Sequence, residues 1–495
     1  METEQTHQHL LLSRFSEFLA QQMGLHFPPE RWRDLLRGIE AAAREFGLQD
    51  AETCMQWLLS TPLDRNRIEI LACHLSVGET YFFRDPQIFE ALQAHIMPAL
   101  IQSRRQCGQT LRIWSAGCAT GEEAYSFAIL MQRMIPDFKQ WQIIILATDI
   151  NPQALAKAES GIYGEWSFRN APDWLKNGYF HPTEKGRYEI ATSVRKMVTF
   201  SYLNLMEDAY PSLINNTNAM DIIFCRNVLM YFKPALAAQV VHRHCLSLMD
   251  GGWLITSPTE SSQIMPEVME TVNFPGAILY RKNASAMARS SALAGTEQLE
   301  PSIISPAATT KRPMQRPVAI TVNKTPPPRP SEYQQAFALY RQGRYGEAAA
   351  QATRLLNSDQ HKVQAMNLLA RIHANQGDLV GARQCCVQAI DADRLNPVAH
   401  YLMAIVLLEQ GQTDGSMQEL KRTLYLDQDF VLAYFTLGNL YRQQGRHKEA
   451  RKCFENALLL LDAYPPEEVL PETEDMTAGR FAKIIHTLCD QEKTP

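Results

Sequence analysis

Several features that would point to a particular class of protein are scarce in this sequence. The 495 residues carry 48 basic and 53 acidic side chains, a net charge of -5, so the basic excess that phosphate neutralisation on nucleic acid requires is lacking. The ten cysteines form no Cys-x-x-Cys pair and stand beside no histidine cluster, which is typical of reduced thiols. We therefore predict neither a metal site nor a nucleic-acid partner.

Long apolar runs are also absent. No window approaches the roughly 18 apolar residues of a membrane-spanning helix, and the first residues are acidic and histidine-containing instead of basic and then apolar. We therefore expect a cytoplasmic protein without a secretory signal or direct membrane insertion. A chain of this length predicts two or three domains.

Changes in residue composition and in apolar periodicity along the sequence suggest where those domains lie. Residues 284–331 are rich in Ala, Ser, Thr and Pro, which predicts a flexible linker. Residues 1–82 place apolar and charged side chains at helical spacing, which predicts a small helical domain. Residues 83–283 alternate apolar runs such as "WQIIILATD" with helical stretches, which is typical of a parallel sheet. The predicted fold class is α/β, with helical regions on either side.

A repeat follows the linker. A Gln-Gly pair recurs every 34 residues, with small residues at fixed offsets on either side of it, which indicates an array of antiparallel helix pairs. The pattern in "AYFTLGNLYRQQGRHKEARKCFENAL" resembles the tetratricopeptide repeat over residues 332–465 and predicts an all-α solenoid; an unrelated helical bundle is the alternative. The acidic tail, 466–495, ends in an amphipathic stretch that we expect to cap the last repeat.

The turn "SAGCATGEE" raises the question of which ligand it would hold. Gly117 and Gly121 allow close backbone approach, while Glu122 and Glu123 open the next helix and would repel a pyrophosphate. A nucleotide-like ligand that carries positive charge and no phosphate fits better, and S-adenosylmethionine has both properties. Asp149 ends the next predicted strand, where dinucleotide folds place an acid on ribose hydroxyls. The alternative is a tight turn with a helix cap.

Three further stretches make the pattern specific. These are "VGETYFFRD" (77–85), "YLNLM" (202–206) and "DIIFCRNVLMYF" (221–232). With the glycine turn, and in the same order, they resemble the CheR family of chemoreceptor glutamate methyltransferases over residues 10–282. The resemblance implies a Rossmann-like domain with a small β-subdomain, S-adenosyl-L-methionine as cofactor, and methyl-ester formation on glutamates of a receptor's cytoplasmic helical bundle, which serves adaptation.

The resemblance also assigns residues. Tyr231 would lie near the transferred methyl group, with a buried core aromatic as the alternative. Gly78 departs from relatives that carry Asn there, so only backbone can make that contact. The cofactor contacts would fall on Gly78, Thr80, Arg84, Gly117, Glu123, Asp149, Asn204, Leu205, Arg226 and Asn227.

Arg84 has a second predicted role. Methyl transfer from a sulfonium to a carboxylate is an in-line displacement by a nucleophile already ionised near neutral pH, so it needs no general base. It does need alignment, and a guanidinium matches the two oxygens of a carboxylate. We therefore predict Arg84 and Tyr231 as the catalytic pair. A surface ion pair of Arg84 with Asp85 or Glu79 is the alternative.

Partners follow from the same features. Arginines of the helical domain could face an acidic receptor bundle, and the repeats are expected to bind a peptide or protein in their groove or to mediate self-association. The β-excursion at 178–200 has a short turn, so we do not expect it to grip a receptor's C-terminal peptide. Fusions of this layout resemble those of surface-sensing and alternative chemosensory systems. The alternative functions are an inactive scaffold and a methyltransferase for another substrate. The arginines of the helical domain that could face the receptor bundle are Arg14, Arg31, Arg33, Arg37 and Arg44.

Overall fold

The protein is described by a computed structural model that covers residues 2–105, 109–212, 215–257, 260, 265–283, 331–357, 361–472, 477–479, 481–482 and 485–486. Its three parts are a helical N-terminal region, an α/β region and a C-terminal helical array. The predicted linker lies outside the described residues, apart from Ser331.

The N-terminal region consists of four helices around a small apolar core. Asp50 and Asp64 cap the third and fourth helices, and their carboxylates accept the backbone N–H groups of Thr53 and Arg67. Such caps satisfy amide hydrogens that have no partner inside the helix. Tyr231 from the α/β region packs against this core, so the two regions share an apolar boundary. The helices are α1 (Glu2–Met23), α2 (Trp32–Glu45), α3 (Ala51–Ser60) and α4 (Arg65–Leu75).

The α/β region contains a seven-stranded sheet in the order β6-β2-β1-β7-β8-β10-β9 and a three-stranded sheet in the order β3-β5-β4. The first five strands in this order are parallel to one another. The strands are β1 (Thr110–Ala116), β2 (Gln142–Asp149), β3 (Ile162–Tyr163), β4 (Phe180–Pro182), β5 (Tyr188–Ile190), β6 (Val198–Tyr202), β7 (Met220–Phe224), β8 (Leu248–Ile255), β9 (Met269–Phe274) and β10 (Ala277–Lys282).

The helices of this region cover the large sheet and connect its strands, so the α/β prediction is confirmed. They are α5 (Pro86–Ala91), α6 (Met97–Arg105), α7 (Glu122–Met134), α8 (Pro152–Ser160), α9 (Asp173–Tyr179), α10 (Thr192–Arg195) and α11 (Pro234–Ser247).

One element of the large sheet was not predicted. Strands β9 and β10 form an antiparallel hairpin at its edge. Gly276, at φ +74°, closes the turn after Pro275. A Pro-Gly pair between two apolar runs is a turn signal that would have revealed the hairpin.

The C-terminal array consists of four helix pairs, as the 34-residue period predicts. Gly343, Gly377, Gly411 and Gly445 all adopt positive φ between the two helices of a pair. The helices are α12 (Glu332–Arg341), α13 (Tyr345–Leu355), α14 (Lys362–Asn375), α15 (Leu379–Ala392), α16 (Pro397–Glu409), α17 (Thr413–Leu426), α18 (Val431–Gln443) and α19 (His447–Leu461).

The array contacts the sheet directly. The Arg112 guanidinium near the start of β1 pairs with the Glu409 carboxylate at the end of α16, and both side chains are buried. Gln142 Nε2, at the start of β2, donates to the Glu409 carbonyl oxygen at 3.0 Å. The repeats therefore pack at the amino-terminal end of the parallel strands, opposite the end where such sheets bind ligands.

Candidate active site

A cleft with about 930 Å³ of empty space opens at the carboxyl ends of β1, β2, β6 and β7. The structure brings together in its lining every residue predicted for the site, although these lie on separate parts of the chain. They are Gly78, Thr80, Arg84, Gly117, Glu123, Asp149, Asn204, Leu205, Arg226, Asn227 and Tyr231.

The glycine turn forms one wall of the cleft. The backbone N–H groups of Gly117 and Cys118 both donate to the Thr148 carbonyl oxygen, at 2.8 and 2.9 Å, which holds the turn against β2. Gly117 has φ +78°, and a Cβ there would lie 2.4 Å from a methyl carbon of Val228. The site therefore needs glycine at this position both for backbone conformation and for close packing.

Asp149 ends β2 with its carboxylate held by backbone. Its Oδ2 accepts from Ala119 N at 2.8 Å and its Oδ1 from Asn151 N at 2.9 Å. Burial raises the pKa of this carboxyl group, while these two bonds oppose the rise. Because a carboxylate oxygen accepts more than one hydrogen bond, each oxygen retains capacity for a hydroxyl donor in the cleft.

Glu123 provides the second carboxylate. Ser115 Oγ donates to its Oε1 at 2.7 Å, and the guanidinium of Arg226 lies 3.9 Å from its Oε2. Burial raises the pKa of Glu123, and the positive charge of Arg226 opposes the rise. The pair of carboxylates gives the floor of the cleft a preference for cationic groups.

Arg226 connects the cleft floor to the loop before α5. Its guanidinium pairs with the Asp85 carboxylate and donates to the Arg84 carbonyl oxygen at 3.3 Å. Asp85 has φ +60°, a conformation that costs energy outside glycine, so the pairing helps to fix the loop. The predicted alternative pairings of Arg84 are wrong, because Asp85 pairs with Arg226 and the Glu79 carboxylate lies 2.8 Å from Arg169.

Arg84 itself is half-buried at the cleft. Its Nη1 donates to the Glu79 carbonyl oxygen at 3.0 Å, and its guanidinium lies 5.7 Å from the centre of the Tyr81 ring. Within the part of the chain that the structure describes, it forms no ion pair. Most of its donors therefore remain available to a carboxylate that enters the cleft.

Asn204 and Leu205 line the cleft after β6. Asn204 Nδ2 donates to the Gln22 carbonyl oxygen of α1 at 2.8 Å, and its Oδ1 accepts from Met206 N at 3.0 Å. These bonds tie the N-terminal region to the sheet. Leu205 is buried beside them. Asn204 and Leu205 therefore define the shape of the cleft here more than they offer polar atoms to a ligand.

The segment after β7 carries Asn227 and Tyr231. Asn227 adopts φ +57°, and its backbone N–H donates to Glu260 Oε2 at 2.9 Å. The Tyr231 carbonyl oxygen accepts from His26 N at 2.9 Å, while the half-buried ring lines the cleft. Tyr231 therefore borders both the N-terminal core and the cleft.

Gly78 and Thr80 complete the rim. Gly78 is exposed, and a Cβ added there would meet no atom within 4 Å. The loop therefore has room for a larger side chain at this position.

Sequence reasoning missed several residues of this site. Glu260 accepts from the backbone of Asn227 and, at 3.2 Å, from Met230 N, so it shapes the cleft through the backbone. Nothing in its local sequence marks it. Met23 and Leu25 bring the N-terminal region into the lining, a contribution that no local pattern could show because it arises from tertiary packing.

The donor set fits S-adenosylmethionine. Its positive charges suit Glu123 and Asp149, its ribose diol suits the backbone-held Asp149, and its carboxylate suits a guanidinium. A largely parallel, Rossmann-like sheet with such a cleft at the carboxyl ends of its strands is typical of S-adenosylmethionine-dependent methyltransferases. In agreement, residues 78–277 match the family "CheR methyltransferase, SAM binding domain", and residues 333–397, 376–435 and 431–464 match tetratricopeptide repeat families.

Curated relatives show the same relationship. The chain is 33% identical to "Chemotaxis protein methyltransferase 2" of Vibrio cholerae over 42% of its own length and 70% of that protein. It is also 30% identical to a "Probable chemotaxis protein methyltransferase" of Rhizobium etli, over 50% of its own length and 90% of that protein. The chain therefore belongs to the CheR family of chemotaxis methyltransferases.

One relative shares the complete layout. "Probable biofilm formation methyltransferase WspC" of Pseudomonas aeruginosa is 25% identical over 90% of this chain and 97% of its own length. The likeness therefore extends through the repeats.

Across the described ranges, every helix is too short or too polar to traverse a bilayer.

Proposed function

We propose that this methyltransferase transfers the methyl group of S-adenosyl-L-methionine to glutamate side chains on the cytoplasmic helical bundle of methyl-accepting receptors, and that the resulting esters serve adaptation of a chemosensory pathway. The observation that carries the proposal is Arg84, which lines the cleft beside two cation-attracting carboxylates and forms no ion pair among the described residues. A glutamate acceptor provides the carboxylate that this guanidinium matches.

The chemistry requires alignment more than proton transfer. The bound cofactor supplies an electrophilic methyl group on a sulfonium. An acceptor glutamate with an ordinary pKa near 4.3 is already ionised at neutral pH. Arg84 would fix the direction of the acceptor's oxygens, and positioning of this kind contributes several kcal/mol to lowering a barrier. Glu123 and Asp149 would hold the cofactor, and the ring of Tyr231 would border the reacting carbon.

The surface beside the cleft supports an acidic helical partner. A second depression lies against α2 and shares Ser76 and Val77 with the cleft. Arg31 and Arg37 line it, with Asp34 paired to both. Arg14, Arg33 and Arg44 are also exposed in the N-terminal region, and an acidic bundle that meets the depression would find Arg31 and Arg37 beside the cleft.

The repeats support a protein partner. Tetratricopeptide arrays offer extended surfaces for peptides, and we propose that this array binds a peptide or protein of the signalling system.

The test is methyl transfer from radiolabelled S-adenosylmethionine to receptor cytoplasmic fragments. Wild type should give a label that mild base releases, because a methyl ester hydrolyses. Arg84→Ala should lower kcat/KM by about a hundredfold, as expected for a lost charge-assisted contact. Asp149→Ala should instead weaken cofactor binding measured by calorimetry. Arg133→Ala, an exposed arginine that does not line the cleft, is the control.

Two outcomes would contradict the proposal. A base-stable label would move the acceptor to nitrogen or another atom, and an unlabelled receptor set would favour an inactive scaffold. Wild-type cofactor affinity in Asp149→Ala would count against the proposed binding cleft itself.

A further inference from the structure

The first helices of successive repeats lie side by side. Helix α12 contacts α14, and α14 contacts α16, so they line one side of the array, which we call the inner face. On α14 this face carries Asn367, Arg371 and Asn375, spaced four residues apart and all buried. On α18 it carries Phe435, at the repeat position equivalent to Asn367.

The C-terminal segment of the same chain lies against this face. The Arg371 guanidinium pairs with the Glu472 carboxylate, and Arg371 Nη1 also donates to the Glu472 carbonyl oxygen at 3.5 Å. Arg371 is only 7% exposed. Because removing the carboxylate from a buried ion pair is costly, this position of the inner face favours an acidic partner.

An aromatic side chain of the C-terminal segment makes a second contact with the inner face. Phe481 is fully buried, and its ring centre lies 4.9 Å from that of Phe435. Leu470, Ala478 and Ile485 are buried in the same cluster. The segment thus presents a carboxylate and, nine residues later, an aromatic side chain, the kinds of group that dominate peptide recognition.

A capping element alone does not explain this path. A cap needs to cover only the last repeat, as Phe481 does on α18. Glu472 reaches Arg371 on α14, which belongs to the second of the four repeats. The segment therefore turns back along the array and occupies the surface that a partner would use.

We propose that the inner face is a binding site for an acidic, aromatic-containing peptide of a partner protein, and that the chain's own C-terminal segment, through Glu472 and Phe481, covers it until such a peptide displaces it. The proposal goes beyond methyl transfer and does not depend on it. Helix α19 ends at Leu461, close to Glu472 in sequence, so the tether is short. Short tethers give effective concentrations in about the millimolar range, which an external peptide must overcome.

The probe is a fluorescein-labelled synthetic peptide with the sequence of residues 466–486, titrated by anisotropy against full-length protein. Wild type should bind it weakly. A full-length Glu472→Gln/Phe481→Ala variant, whose own segment is loosened, should bind it about tenfold more tightly or better, because the tethered competitor is removed. Glu467→Gln, which changes an exposed glutamate in the same segment, should behave as wild type.

Two further arms test the chemistry of recognition. A peptide carrying Glu472→Gln should bind the loosened variant about tenfold more weakly than the wild-type peptide does, since the charge-assisted pair with Arg371 is lost. Adding Arg371→Gln to the loosened variant should weaken the wild-type peptide to a similar extent. The peptide substitution leaves the protein unchanged, so its result does not depend on how well a variant folds.

The proposal is overturned if wild type and the loosened variant bind the peptide equally, or if the Glu472→Gln peptide binds as tightly as the unaltered one. Concentration-dependent dimers of wild type by mass photometry, lost in the loosened variant, would make the occupant a second copy's segment and would likewise overturn it. Methyl-transfer activity retained in every variant would leave the proposed enzymatic function standing whichever result is obtained.

Discussion

The two ends of the parallel strands each hold a buried arginine, and the two arginines are satisfied differently. At the amino end, Arg112 pairs with Glu409 and donates to the carbonyl oxygens of Asn216 and Asn218, both at 3.1 Å. At the carboxyl end, Arg226 pairs with Asp85 but keeps a buried Nε–H without a partner among the described residues. The first arginine joins the sheet to the repeats, whereas the second lines a cleft that also holds Arg84 and Asp149.

This difference explains how one sheet serves two purposes. Buried polar groups in native proteins are nearly always paired, and the carboxylates and guanidinium that line the cleft can complete their pairing with a ligand. The repeats cover the amino ends of the parallel strands through Glu409, whereas the cleft at the carboxyl ends remains open to a ligand. Substitutions of the charged side chains at each end should therefore act on different quantities, stability at the first and cofactor binding at the second.

The largest effect should come from removing Glu409. Glu409→Ala leaves the Arg112 guanidinium buried without its carboxylate, which typically costs about 3–5 kcal/mol. Urea unfolding should show the loss, and Glu455→Ala, at an exposed position of α19, should show almost none.

Replacing both members of the pair sharpens this prediction. An Arg112→Leu/Glu409→Leu variant should recover most of the loss, since apolar replacements of buried pairs are often neutral. A Glu409→Ala protein as stable as wild type would mean that the repeats do not depend on this contact.

The next effect concerns the glycine turn. Gly117→Ala places a Cβ 2.4 Å from Val228 at φ +78°, and conformational strain with overpacking should cost about 2–4 kcal/mol. Gly186→Ala, at φ +67° with no atom near the added carbon, isolates the conformational part at about 1–2 kcal/mol. Equal losses in the two variants would show that close packing against Val228 contributes nothing.

The sequence predicted the elements better than their contacts. The five parallel strands, the four repeats and the predicted residues of the cleft emerged from local patterns and family motifs, whereas Met23 and Leu25 enter its lining through tertiary packing. The pairing of Arg112 with Glu409 spans 297 residues, and no periodicity indicates it. Glu260 and Asp85 act on the cleft through long-range contacts, while the predicted capping tail reaches further along the repeats than its amphipathic pattern indicates.

A smaller effect is the pH dependence of cofactor binding at the open end. Burial raises the pKa of both Asp149 and Glu123, so both lose their charge at higher pH than ordinary carboxyl groups. Affinity for the cationic cofactor should therefore fall as pH decreases through this window, by up to about tenfold per pH unit for each proton taken up. Calorimetry at several pH values measures it, and Asp149→Asn should make the dependence shallower.

Stability of the ligand-free protein should move in the opposite direction. A carboxyl group whose folded pKa is raised binds its proton more tightly in the folded state, so its contribution favours folding as pH falls through the same window.

Cofactor binding that is independent of pH across this range would show that neither carboxylate meets the cofactor's charge.

The smallest effect should come from the rim. Gly78→Asn adds an amide where a new Cβ meets no atom within 4 Å, and this loop lines the cleft beside Thr80. A recovered hydrogen bond to the cofactor is worth about 0.5–1.5 kcal/mol, so affinity should rise by up to about tenfold while urea stability stays unchanged. Gly164→Asn, also at an open position but outside the cleft, controls for general effects of the substitution. Unchanged affinity in Gly78→Asn would mean that backbone alone already satisfies the cofactor on this side, and that the rim contributes less to binding than the buried carboxylates do.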